Sequence, residues 1–146
     1  MISSTLFSCT SIMDDYDVEN VEENYYFNPP SWIHGKWVNE VEVDDPSLAI
    51  QFKTHDYLEY LAVMDMWQSF TERFREVEDM PGERVSVTEE VITTEEYRYK
   101  IEGAVGGFIR ISYKKLSQNR MQIDYYDQQG NIIPEASSIW VKTNLF

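Results

Sequence analysis

The sequence holds one cysteine, Cys9, two histidines, His34 and His55, and no lysine or arginine before Lys36. A lone cysteine excludes an internal disulfide. Two histidines leave little for histidine-based catalysis, and no Cys/His spacing of the zinc kind is present. Basic residues are scarce throughout, 12 against 26 acids, for a formal net charge of −14. Nucleic-acid binders gain affinity by neutralising phosphates with Lys and Arg, so neither DNA nor RNA is an expected partner. No apolar run approaches the roughly eighteen residues of a membrane-spanning helix, so none is expected. What is abundant is aromatic: seven Phe, ten Tyr and four Trp in 146 residues. That density favours strands over a helical bundle, and the length suits one hydrophobic core.

Charge is unevenly spread. Asp14, Asp15, Asp17, Glu19, Glu22 and Glu23 form a run of one sign. Such a run repels itself and buries little, so residues 1–28 are read as a flexible acidic tether and residues 29–146 as the folded domain. With those six acids set aside, twenty acids face all twelve bases, and the body carries a formal −8.

From Ser31 onwards the period is two, the mark of strands with one sheltered face. Ile33, Gly35, Trp37, Asn39, Val41 and Val43 share one parity after the breaker Pro29-Pro30. Leu48, Ile50 and Phe52 alternate with Ala49, Gln51 and Lys53, and Tyr57 to Met64 is more continuously apolar. Ser69 with Glu72 suggests a capping box, with Phe70, Phe74 and Val77 at helical spacing behind it, ended by Pro81-Gly82. Val85, Val87 and Val91, then Tyr97, Tyr99 and Ile101, then Ile109, Ile111 and Tyr113, then Met121, Ile123 and Tyr125 alternate in turn, and Ile139 to Val141 closes the series. The expected fold is all-β: an up-and-down antiparallel barrel of eight or so strands with one short helix. Closure removes the two exposed edges an open sheet would present, and a two-sheet sandwich is the alternative.

Two local patterns resemble known families. Leu6-Phe7-Ser8-Cys9 resembles a bacterial lipobox, in which the cysteine after a small residue receives a diacylglyceryl group. Eight residues are fewer than an export signal needs, so lipidation at Cys9 implies a reading frame extending upstream of Met1. The other reading is an idle thiol in a chain end. Gly35-Lys36-Trp37 resembles the Gly-x-Trp signature of lipocalins and the wider calycin group. The order of Pro30 to Trp37, two strands, the short helix around Phe70 to Phe74, Val87-Thr88-Glu89-Glu90, Tyr97-Arg98-Tyr99, Lys114-Lys115-Leu116 and Trp140-Val141-Lys142 is similar to lipocalin-like lipoproteins of Bacteroidetes-type bacteria. The resemblance runs from Pro29 to Thr143. It implies a barrel presented outside the cytoplasm, anchored by lipid to the outer membrane or surface of a Gram-negative cell. Lipocalins pair the Trp with an Arg on the last strand, where this chain offers Lys142.

No catalytic constellation is recognisable, so the protein is not expected to be an enzyme. His55 stands beside Asp56, but no Gly-x-Ser-x-Gly elbow accompanies them. Asp44-Asp45 and Asp124 with Asp127 lack a calcium loop, and Gly103 to Gly107 joins two strands and reads as a turn. No metal or cofactor is expected. An eight-stranded barrel has room for one small ligand or for side chains alone. Inward parity would gather Phe52, Tyr57, Trp67, Tyr97, Tyr99, Tyr113 and Tyr125 around such a space, with tyrosine hydroxyls as polar handles. The competing reading is that these rings only pack the core, and the sequence does not say which parity points inward. The resulting expectation is a monomeric domain that binds a small apolar or amphipathic molecule, or acts as a surface interaction module, touching membrane only through Cys9. The alternative is an acidic inhibitor or immunity protein that covers a basic enzyme.

Overall fold

A computed structural model describes residues 24–103 and 107–146. Their strands are β1 (Gly35–Asn39), β2 (Leu48–Lys53), β3 (Asp56–Leu61), β4 (Met66–Ser69), β5 (Ser86–Ile92), β6 (Glu96–Glu102), β7 (Phe108–Lys115), β8 (Arg120–Tyr126) and β9 (Ser138–Thr143), with one helix, α1 (Phe70–Glu78), between β4 and β5. All nine strands join one antiparallel sheet in the order β4-β3-β2-β1-β9-β8-β7-β6-β5. The first and last strands therefore meet in the middle of the sheet, through Lys36 opposite Thr143 and Asn39 opposite Trp140.

The sheet curls into a half-barrel and does not close, which corrects the closed barrel expected from the alternation. Closure would require β4 to pair with β5. Strand β4 is only four residues long, and the chain turns directly from Ser69 into α1, which packs on β3 and β4. Ser69 accepts the Glu72 N–H at 3.1 Å, and the Asp56 carboxylate accepts the Ser69 hydroxyl at 2.6 Å and the Thr71 N–H at 3.2 Å. An anionic group at this end also suits the helix dipole. Helix formation at Phe70 thus wins over continued strand, and β4 and β5 stay unpaired.

The concave face carries the core. Trp37, Ile50, Phe52, Tyr57, Tyr97, Tyr99, Ile111, Tyr113, Met121, Ile123 and Trp140 are all buried there. The register explains the grouping: Phe52 lies opposite both Gly35 and Tyr57, and Tyr113 opposite both Tyr97 and Ile123. Phe27 and Ile33, ahead of β1, complete the cluster.

The packed body begins earlier than the boundary expected at Pro29. Tyr25 stacks on His55 with ring centroids 3.6 Å apart, and Tyr26 packs edge-on against Phe74 while donating to Glu78. Phe27 is fully buried between Tyr57, Phe74 and Tyr99. Asn28 gives both its backbone and side-chain N–H groups to the Glu89 carboxylate, each at 2.8 Å. The acidic run masks this segment in the sequence, because Tyr25-Tyr26-Phe27 has no strand or helix period of its own. Cys9 and the acidic run lie outside the described residues.

Candidate ligand groove

Beside the seam, the concave face is left unfilled. Phe70, Phe74 and Val77 lie on one side of α1, as their spacing requires, and face Ile101 of β6 and Ile109 of β7 across an open groove of about 860 Å³. Met80 and Val85, from the connection that follows α1, and Phe108 of β7 also line it. Ile101 lies opposite Ile109 and Val87, so the aromatic stack formed by Tyr97, Tyr99 and Tyr113 is not continued along the sheet at this level. Met80 and Ile109 consequently stay 54% and 55% exposed. Large apolar side chains gathered in a concave, open site are the usual composition of a small-molecule pocket, and the volume falls within the common range.

Three charged side chains reach the groove: Arg73, Glu76 and Glu83. The Arg73 guanidinium lies 5.2 Å from the Phe70 ring centroid, an attractive cation–ring geometry.

The seven rings expected to line a cavity fall elsewhere. Phe52, Tyr57, Tyr97, Tyr99 and Tyr113 are buried against one another and against Phe27. Their hydroxyls are occupied: Tyr99 and Tyr113 share a 2.8 Å hydrogen bond, Tyr97 donates to Glu89 at 2.7 Å and Tyr57 to Glu59 at 2.7 Å. Burial pushes the pKa of all four phenols upward. Tyr125 shares their face and is half-buried. Trp67 is on the other face, because β4 sets it opposite Tyr60, where it packs with Tyr60 and Phe146. None of the seven lines the groove. Of the residues that do line it, Phe70, Phe74 and Val77 were visible as helical spacing and Val85, Ile101 and Ile109 as strand alternation, with nothing to say that the two sets meet. What makes this a site is that α1 is laid across an open seam, which no local pattern announces.

The histidines serve structure. His34 bonds the Pro29 carbonyl at 2.9 Å, and His55 meets the Asn28 side-chain oxygen at 3.1 Å beneath Tyr25. Asp56, beside His55, is committed to the start of α1. Among the described residues no group of three or more His, Cys, Asp or Glu is placed to hold a metal ion, and no helix is long and apolar enough to cross a membrane.

Compared with known proteins, the chain matches no family model, no curated protein and no solved structure.

Proposed function

We propose that this protein is a non-enzymatic, lipocalin-like binding module, held outside the cytoplasm by a lipid on Cys9, that takes a small apolar or amphipathic molecule into the groove between α1 and the β6–β7 pair. The observation that carries the reading is the groove itself, an apolar concavity beside an otherwise tightly packed core. Support for the lipocalin likeness comes from the signature residues. Gly35 takes φ +116°, Trp37 is fully buried and donates its ring N–H to the Ile33 carbonyl at 2.8 Å, and Lys142 sets its ammonium 5.1 Å from the Trp37 ring centroid. The last of these is the position where lipocalins use Arg. The half-barrel is the departure from that family, and it puts the ligand at the seam instead of at a barrel's centre.

Titration with an environment-sensitive fatty-chain dye tests the site. Saturable binding is expected, and Ile109→Asp should weaken it at least about ten-fold by placing a charge against the chain. Trp67→Ala, on the other face, should leave the affinity unchanged. No saturable uptake by the wild-type protein would end the ligand reading. Anchoring is tested separately, by metabolic fatty-acid labelling of the natural reading frame with and without Cys9→Ala.

One observation favours the acidic-inhibitor alternative. The β1–β2 and β3–β4 connections, joined by the Ala62 N–H to Ser47 carbonyl bond, expose Val41 (88%), Val63 (99%) and Met64, and Met66 at the start of β4 is exposed beside them in the chain. Glu40, Glu42, Asp44, Asp45 and Asp65 surround them in the chain. An apolar tip within an acidic rim suits a basic protein partner. Affinity capture with the wild-type protein and with Val63→Asp should then retain a basic partner on the wild type alone.

A further inference from the structure

We propose that the groove selects a cationic amphipath: a single hydrocarbon chain ending in an amine or quaternary ammonium. The inference rests on the ligand-groove reading above and adds the sign of the head group. Three features of the groove point the same way. Glu76 and Glu83 both line it, yet neither carboxylate accepts a hydrogen bond or forms an ion pair among the described residues. Arg73, the one cation that lines it among the described residues, is already set over the Phe70 ring and bonded to the Gln68 side chain at 3.4 Å. The third feature is α1 itself. Glu76 is on its last turn, where the helix dipole is negative.

An ammonium bound in the groove gains its two lining carboxylates, one of them on the last turn of a nine-residue helix, while its tail covers Val77, Met80 and Ile109. A carboxylate or sulfate head in the same place meets repulsion from each of those groups. The wider field agrees, since the whole chain is formally −14.

The test is a comparison of three probes with one tail, each kept below its micelle concentration: dodecyltrimethylammonium, dodecyl maltoside and dodecanoate. The ammonium probe should bind about ten-fold more tightly than dodecanoate, with the maltoside between them, and added salt should narrow the gap. Glu76→Gln with Glu83→Gln should bring the ammonium probe down to the maltoside's affinity and leave the maltoside unchanged. Glu95→Gln with Glu135→Gln removes the same charge from exposed positions outside the groove and should change nothing. Dodecanoate binding as well as the ammonium, or equal losses in the two double variants, overturns the head-group inference while the groove stands. Failure of all three probes to bind saturably overturns the groove and this inference together.

Discussion

Asp124 lies on the convex face of β8 with almost none of its surface open, an unusual place for a carboxylate. Gln122 and Ser137 donate to one oxygen at 2.8 and 2.7 Å, and the Lys114 ammonium stands 3.1 Å from the other. Burial alone would raise its pKa, but these three donors more than offset it and hold the group below its ordinary value of 3.8. Folding therefore favours the charged form. The stability this site contributes is full above the ordinary carboxylate range and is lost as pH falls towards the depressed value. Asp124→Asn should cost about 1–3 kcal/mol near neutrality and flatten the acid limb of a denaturant midpoint against pH profile. An unchanged acid limb would contradict that assignment. Gly35 gives a second prediction at the same scale. A Cβ there would meet only Lys142 Cε at 4.0 Å, an ordinary contact, so the penalty for Gly35→Ala lies in the backbone at φ +116°, about 1–3 kcal/mol. Gly103→Ala, with open space and no positive φ, serves as the near-neutral comparison in the same denaturation series. The sequence made Gly35 and Trp37 conspicuous by their spacing. It could not mark Asp124, one acid among 26, because its role depends on Lys114 of β7 and on Ser137 in the connection just before β9.

At the scale of elements, alternation located eight of the nine described strands and the capped start of α1. Strand β4 escaped because Met66-Trp67-Gln68-Ser69 is too short to display a period, and it exists by pairing with β3. The first strand was read too long. After Asn39, the Glu40–Glu42 segment coils into a helical turn, with the Asn39 side chain accepting the Val41 N–H at 3.1 Å. That side-chain bond gives the backbone a local alternative to the ladder. The segment before β1 is the larger miss, and it is testable. If residues 25–28 were an unattached tether, Phe27→Ala would be silent. Fully buried against Tyr57, Phe74 and Tyr99, it should instead cost about 3–5 kcal/mol in urea unfolding.

For the whole molecule, the chemistry of the core sets the alkaline limit. The phenols of Tyr57, Tyr97, Tyr99 and Tyr113 are all raised above their ordinary value of 10.0, chiefly by burial, and Tyr26 is pushed up to about 12 by burial and by its bond to Glu78. A raised phenol pKa stabilises the fold fully below pH 10 and withdraws that support as pH climbs beyond it. Phenolate absorbance from Tyr57, Tyr97, Tyr99 and Tyr113 should therefore appear only as circular dichroism reports unfolding. One smooth titration of all ten tyrosines in the folded protein would contradict the packing described. The open seam is also a whole-molecule property. Alternation indicates that a sheet shelters one face, but whether its rims join depends on what lies between β4 and β5, and here that is a helix.

Because the strands nearest the two ends of the chain are neighbours at the centre of the sheet, tension applied to those ends acts on its midline first. Lys36 and Thr143, at the outer limit of the β1–β9 ladder, would part first once residues 25–28 had peeled away, followed by Trp37 from Lys142, Val38 from Val141 and Asn39 from Trp140. Each step breaks one pair in turn instead of shearing the whole ladder together. The molecule would yield at low force and split into its two meanders, β1–β4 and β5–β9, like a garment opened down the front.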